Sequence, residues 1–427
     1  MRAAANLGAR FVLGTVREQA QRARAAARGL APLGRREKDA ALEAIARNLR
    51  AKVDDIGRAN SLDLENAKAA GLTAAMIDRL NMGPKAVEAT AQGVEHVASL
   101  PDPVGSRSQM NRLANGLLIG KQRLPLGVVA MVYESRPNVT VDAAALCLKS
   151  GNAVLLRGGK EAVHTNAILG EVIRDALVET AVPVEAVQIV PASDREGVRE
   201  LLGLADLIDL AIPRGGPGLI RFVAENARVP VIKHYQGVCH LFLDADCDSS
   251  MATRLALNGK TQRPGVCNAL ECLLVHEAAA PRVLPAVANA LVAAGVELRG
   301  CPRTVELVSS AKAATDEDWG AEFLALVLAV KVVSGLDAAL DHVARYGSNH
   351  TEVICTNDYA NAQRWLREVD ASCVMINASS RFNDGGQFGL GAEIGISTSK
   401  LHAYGPMGLE SLTTEKWIVL GEGQIRD

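Results

Sequence analysis

The stretch from residue 128 to 157 decides the fold. It begins with Val128-Val129-Ala130-Met131-Val132, passes through Tyr133-Glu134-Ser135-Arg136-Pro137-Asn138, and ends with Ala153-Val154-Leu155-Leu156-Arg157. Two continuous apolar runs of strand length, each bounded by turn residues, read as strands buried on both faces. Between them, Val139 to Lys149 reads as a helix that Ser150-Gly151-Asn152 stops. Strand, helix and strand in this order make a β-α-β unit, whose strands are parallel. The pattern continues with a helix over 162–180, a strand at Val187-Gln188-Ile189-Val190, a helix over 194–204 and a strand over 207–212. Such alternation predicts an open, mostly parallel sheet that takes ligands at the carboxyl ends of its strands.

Those ends carry candidate anion-binding groups. Arg157-Gly158-Gly159-Lys160 follows the second strand. Its glycines permit close backbone approach and its cations suit a ribose 2′-phosphate; a solvated turn is the plain alternative. Pro213-Arg214-Gly215-Gly216-Pro217-Gly218 follows the strand over 207–212 and opens a helix over 219–228, with Pro217 suited to its first turn. A glycine-rich loop at a helix N-terminus offers N–H groups and a positive dipole end to phosphate.

Upstream, residues 1–100 are Ala-rich and helical in period. Ala40, Leu42, Ile45, Leu49 and Val53 line one side of a helix over 35–53. The first seventeen residues read as part of an ordinary first helix rather than a transit peptide. The net charge of −2 gives no basic field for nucleic acid or an anionic membrane, and 3% aromatic residues leave few platforms for stacking bases. Charges interrupt every apolar run before it reaches spanning length. Eight scattered cysteines without a CxxC pair argue against a disulfide framework and for the cytoplasm.

Downstream, Val229-Pro230-Val231-Ile232 reads as a short strand and Lys233 to His240 as a loop. His234, Cys239 and His240 invite a metal, but no complementary ligand cluster lies near in sequence, so none is expected. After a helix over 244–258 comes Asn258-Gly259-Lys260-Thr261-Gln262-Arg263-Pro264-Gly265-Val266-Cys267-Asn268-Ala269-Leu270-Glu271. Pro264-Gly265 forces an irregular loop, and an apolar strand follows Cys267. A thiol at that junction, with Lys260 and Arg263 near in sequence to favour its thiolate, suits a nucleophile; a small buried hydrophobe is the alternative. Further strands are expected over 270–275, 306–308, 326–333, 352–356 and 372–376, with helices over 281–294, 338–345 and 359–368. Arg381 to Ser399 is glycine-rich enough to suggest a close-packed binding loop. The tail Lys416-Trp417-Ile418-Val419-Leu420-Gly421 is expected to pair with 117–124 as an exposed hairpin, an edge open to a second subunit.

Several runs resemble the aldehyde dehydrogenase superfamily and, within it, the gamma-glutamyl phosphate reductases. They are Tyr133-Glu134-Ser135-Arg136-Pro137-Asn138-Val139-Thr140, Thr261 to Ala269, Tyr346-Gly347-Ser348-Asn349-His350-Thr351-Glu352, the glycine-rich 381–399, and Lys400-Leu401-His402-Ala403-Tyr404-Gly405-Pro406-Met407-Gly408. One departure is Tyr404, where these relatives usually carry arginine.

The resemblance implies an α/β, aldehyde-dehydrogenase-like fold. A Rossmann-type NADP-binding domain would span 1–235, with an oligomerisation strand at 115–125. A catalytic cysteine domain would span 236–400, and 401–427 would return to the cofactor domain and supply a second oligomerisation strand. The implied reaction is NADPH-dependent reduction of L-glutamate 5-phosphate to the 5-semialdehyde through a Cys267 thioester, a step of proline biosynthesis. A related reductase of another acyl phosphate or an acyl-CoA is the alternative. Arg157, Gly158, Lys160, Arg214, Gly215, Gly216 and Glu322 are the expected cofactor residues, Glu322 for the nicotinamide ribose. Arg136 and Arg263 are candidates for substrate carboxylate or phosphate, Asn383 and Asp384 for the α-amino group. The Cys267 N–H and the Asn138 side chain are candidate oxyanion donors. A homo-oligomer, either a dimer or a dimer of dimers, is expected, with a glutamate kinase as the candidate partner handing over the acyl phosphate. Residues 233–240 hold no carboxylate where aldehyde-oxidising relatives carry a base, which favours the phosphate-dependent reaction over hydrolysis.

Overall fold

The computed structural model describes residues 14–191 and 195–426. The chain forms two units, 1–233 with 390–395 and 407–427, and 234–389 with 396–406. The second unit therefore does not run unbroken from 236 to 400; the chain leaves it for six residues and leaves it finally at 407.

In the first unit, helices Val16–Leu30, Arg35–Ala51, Val53–Ala69, Ala74–Leu80 and Pro84–Ser99 precede the sheet. The first starts at Val16 because Thr15 and Glu18 form a capping box, each side chain accepting the other's backbone N–H. The reading of residues 1–13 lies outside the described residues. Four parallel strands form the sheet in the order Val187–Ile189, Ala153–Arg157, Val128–Tyr133, Leu210–Arg214. The order reverses between Val128–Tyr133 and Leu210–Arg214, so the carboxyl ends of these two strands flank a topological switch point.

Two expectations need correcting here. The last strand runs to Arg214 rather than ending at 212, because pairing from Val129↔Leu210 to Tyr133↔Arg214 carries it through Pro213. Residues 229–232 make only an isolated parallel bridge, Ala211↔Val231, since Pro230 cannot donate to a ladder. A separate antiparallel sheet joins Arg107–Arg112, Leu118–Pro125 and Thr413–Leu420. The expected pairing of 117–124 with the tail is present, in register from Thr413↔Pro125 to Leu420↔Leu118. It is part of a three-stranded sheet rather than a hairpin. Arg107–Arg112 escaped notice because it is polar and exposed except at the half-buried Met110.

The second unit holds seven parallel strands in the order Lys312–Ala313, Glu297–Gly300, Val327–Val333, Leu270–His276, Cys239–Leu243, Thr351–Cys355, Cys373–Ile376. Alternate residues build two cores. Leu241, Leu243, Leu273 and Val275 pack on one face, and Phe242, Cys272, Leu274 and Trp365 on the other. The expected strand over 306–308 is the end of a helix, Pro302–Leu307, started by a proline at its first turn. The strand there is Glu297–Gly300, just before it. The helix expected over 244–258 is Ser249–Thr261, capped by the Asp248 carboxylate on the Met251 N–H. Residues 258–261 thus belong to a helix, and the cysteine loop is shorter than the sequence suggests.

Candidate active site

In the second unit the candidate groups gather where loops enter the strands. Cys267 lies three residues before Leu270–His276, Gly237 two residues before Cys239–Leu243, and Ser348 and His350 just before Thr351–Cys355. Glu322 precedes Val327–Val333 in the same way. Gly237 is the seat of the cysteine loop. A Cβ there would stand 2.0 Å from the Cys267 carbonyl oxygen and 2.7 Å from its Cα, so only glycine fits. The Cys239 thiol donates to that carbonyl at 3.2 Å. Behind the loop, the Asn268 amide donates to the Asn383 carbonyl at 2.9 Å, and the Ser380 hydroxyl to the Asn268 carbonyl at 2.8 Å. His350 is buried and its imidazole is pushed down to about 3, by burial and then by the charge of His234.

The Glu322 carboxylate accepts the Gly237 N–H at 3.0 Å. Burial raises its pKa, against the lowering influence of that hydrogen bond and of Lys260. Residues 233–240 hold no carboxylate of their own, and Glu322 reaches this loop at the Gly237 N–H. Its segment is held in turn. The Leu324 N–H donates to Glu271 Oε1 at 3.2 Å, and Glu271 Oε2 stands 2.5 Å from Lys260 Nζ. Leu324 adopts φ +52°, a conformation that costs a branched side chain about 1–3 kcal/mol unless neighbours fix it. The Glu271 hydrogen bond is one such constraint.

Lys260 does not act on the thiol as expected. It is fully buried and paired with Glu271. Arg381 interacts electrostatically with Cys267 and with Arg263. Arg381 also donates to Gln262 at 2.8 Å. It was missed because it enters from over a hundred residues away. Arg263 is exposed, as a ligand-facing guanidinium needs to be. Asn383 does not fit the assigned contact with substrate. It is fully buried and its amide donates to Thr351 Oγ1 at 2.7 Å, so it braces the loop. Asp384 folds a turn, accepting the Gly386 and Gln387 N–H groups at 2.9 and 3.2 Å. Tyr404 donates to Asp370 at 3.4 Å, and Lys400 pairs with the same carboxylate at 2.6 Å.

In the first unit the candidate groups lie at the carboxyl ends of the strands. Ser135 takes φ +47° in the 133–138 loop, and its N–H and hydroxyl donate to Glu161 Oε1 at 2.5 and 3.1 Å. This ties the loop to Arg157-Gly158-Gly159-Lys160. Gly158 must lack a side chain, since a Cβ would stand 2.1 Å from the Asn166 amide nitrogen. Lys160 is exposed and Arg157 half-buried. The Gly215-Gly216 turn is not open in the way the sequence suggests. The Gly216 N–H donates to Glu134 Oε2 at 3.1 Å, and a Cβ on Gly215 would meet the same oxygen at 2.4 Å. A carboxylate thus stands where a phosphate oxygen would. The cradle already holds an oxyanion, the Glu134 carboxylate, on the Gly216 N–H. Arg136, Asn138, Asp142, Arg214 and Glu393 line a cavity of about 70 Å³. Asn138 donates to Asp142 at 2.9 Å. Burial lifts the Asp142 carboxyl to about 6, against the influence of Asn138 and Arg214. One amide N–H of Asn138 is committed there, which leaves its other N–H for an acceptor.

Comparison with known proteins agrees with this arrangement. The model of the aldehyde dehydrogenase family matches residues 13–303. A gamma-glutamyl phosphate reductase of Sorangium cellulosum is 63% identical over 97% of this chain and 98% of its own. That of Desulfatibacillum aliphaticivorans is 57% identical over 96% and 98%. The crystal structure of the Thermotoga maritima gamma-glutamyl phosphate reductase superposes with a TM-score of 0.95 at 44% identity, covering 97% of this chain and all of that one. The chain is an oxidoreductase of the aldehyde dehydrogenase family and belongs, within it, to the gamma-glutamyl phosphate reductases.

Proposed function

We propose that the chain reduces L-glutamate 5-phosphate to L-glutamate 5-semialdehyde and phosphate with NADPH, a step of proline biosynthesis. The observation that carries the reading is the seating of Cys267 on Gly237 beside the Glu322 carboxylate, in a chain whose near-full-length relatives are named for this reaction. The Cys267 thiolate attacks the acyl-phosphate carbonyl. The carbon–oxygen bond to phosphate breaks and phosphate leaves with the electron pair, giving a thioester on Cys267. The Cys267 backbone N–H and the Asn138 amide are assigned to the oxyanion. When bound, the nicotinamide supplies the hydride that reduces the thioester. Collapse of the thiohemiacetal frees the aldehyde and returns Cys267 as thiolate.

Arg157, Gly158, Lys160, Arg214, Gly215 and Gly216 would hold the cofactor, with Lys160 and Arg157 favouring a 2′-phosphate. Glu322 would exchange its Gly237 partner for ribose hydroxyls. Arg136 and Arg263 remain the candidates for the anionic ends of the substrate. Assembly is assigned to the three-stranded sheet. Its strand Thr413–Leu420 is an edge, with Trp417 66% and Val419 55% exposed, and such an edge invites pairing. Eight free cysteines suit the reducing cytoplasm, where a glutamate kinase would supply the labile acyl phosphate. No helix among the described residues is long and apolar enough to cross a membrane.

The reverse reaction tests the central reading, because its substrate is stable. NADPH formation from glutamate semialdehyde and NADP should require phosphate (or arsenate) and disappear in Cys267→Ala. Turnover without phosphate would refute the phosphorolytic reading and point to hydrolysis.

A further inference from the structure

One cluster in the second unit has no part in this chemistry. Across three adjacent strands, His240 is in register with Cys272 on one side and with Glu352 on the other, all on one face of the sheet. The helix Leu336–Tyr346 lays His342 over them. One ligand atom from each of His240, Cys272 and His342 falls within 4.8 Å of the other two, and all three residues are buried. His342 Nε2 stands 3.7 Å from Cys272 Sγ, and the two imidazole rings lie edge to face at 5.5 Å. His240 Nε2 is buried with no hydrogen-bond partner. Its Nδ1 lies 2.9 Å from Glu352 Oε2, off the line of a good hydrogen bond but close enough for a small ring rotation to make one.

The sequence suggested no metal because His240 had no complementary ligands nearby; folding brings them from 32 and 102 residues away. We propose that His240, Cys272 and His342 form a site for a thiophilic d10 cation, Zn2+ or Cu+. One thiolate and two imidazoles are the ligands such ions select. Glu352 is placed as the carboxylate that orients a ligating imidazole by taking its other N–H. Metal–nitrogen and metal–sulfur bonds of about 2.0–2.3 Å put ligand atoms roughly 3.3–3.7 Å apart, so the longest separation in the cluster needs to contract by up to about 1.5 Å. Cys272 loses its proton on binding. Two cations, Lys331 and Arg345, act on His342 against a bound ion, and Lys331 is in direct contact. Lys331 Nζ stands 3.3 Å from His342 Nδ1, which must carry a proton once Nε2 binds metal. The ammonium has somewhere to go, since it already lies 5.2 Å from the centre of the Trp319 ring and 5.9 Å from that of Tyr346. The bound ion would clamp two strands and a helix whose neighbouring loops carry Cys267, Gly237 and His350, a structural role separate from turnover.

The test uses the full-length chain carrying Cys267→Ala and Cys301→Ser, which removes the two partly exposed thiols that would compete. It is stripped of metal and titrated with Zn2+, with Cu+ buffered by a chromogenic chelator, and with Co2+ as an optical probe. One equivalent should bind with sub-micromolar affinity, and Co2+ should show a thiolate charge-transfer band. Cys272→Ala and His342→Phe should each weaken binding at least 100-fold and abolish the band, while Lys331→Met should bind as tightly or more tightly. Zn2+ and Cu+ arms that differ identify the ion. No stoichiometric binding in this doubly substituted parent overturns the proposal. So does binding that survives Cys272→Ala or His342→Phe in a variant that melts like its parent.

Discussion

Replacing Lys260 by methionine isolates the buried pair that holds the Glu322 segment. Both partners are fully buried, and Glu271 is left with one donor, the Leu324 N–H at 3.2 Å. Stranding one member of a buried pair costs about 3–5 kcal/mol, whereas replacing both with apolar residues is often near neutral. For a unit of this size, about 2–4 °C per kcal/mol gives a fall in melting temperature of roughly 6–20 °C. Burial already pushes Glu271 up to about 7 from 4.5. A raised carboxyl favours the fold fully below its unfolded pKa and loses that contribution as pH rises through the folded one. Without Lys260 the folded pKa rises further, so the defect should be larger at pH 8.5 than at pH 6. Calorimetry of Lys260→Met, Glu271→Leu and the double variant at both pH values measures this. The double variant should be closer to wild type than either single one. Singles that cost less than about 1 kcal/mol, a double equal to their sum, or a Lys260→Met defect that grows toward low pH would refute the reasoning.

Other expectations follow from single contacts. Gly237→Ala puts a methyl into the Cys267 backbone and should lower kcat at least 100-fold, with slower alkylation of Cys267 by iodoacetamide; an unchanged rate would mean the loop relaxes freely. Glu134→Ala should free the Gly216 N–H and lower the KM for NADPH several-fold, read by steady-state kinetics. Tyr404→Arg should keep a partner in Asp370 and leave the substrate KM within about two-fold, because a surface ion pair replaces a surface hydrogen bond. Ile418→Pro removes a ladder donor from the edge strand, and light scattering after gel filtration should show a smaller particle.

The sequence made most strands legible because they are buried on both faces. Val128–Tyr133 reads as an unbroken apolar run and Leu270–Val275 as one broken only by Glu271, whereas the mostly polar Arg107–Arg112 and the short Glu297–Gly300 carried no such mark. Cys267 stood out by its loop and by resemblance. Glu322 was reached through the resemblance alone, and Gly237 and Arg381 were not reached, because they come from distant loops that only the parallel sheet brings together. Lys260 misled because closeness in sequence was taken for closeness in space. Its helix turns the ammonium inward to Glu271. Asn383 misled because a polar residue in a glycine-rich loop looks ligand-facing until its amide is found on Thr351.

The order in which the chain is synthesised bears on the divided first unit. Its sheet of three antiparallel strands waits for Thr413–Leu420, whereas the second unit has all its residues by Pro406. A nascent chain can therefore complete the cysteine-bearing unit while the earlier one still exposes an unpaired strand, Leu118–Pro125, along one edge. Truncation at residue 412 leaves that same edge bare, and the lost solubility should appear before any lost chemistry.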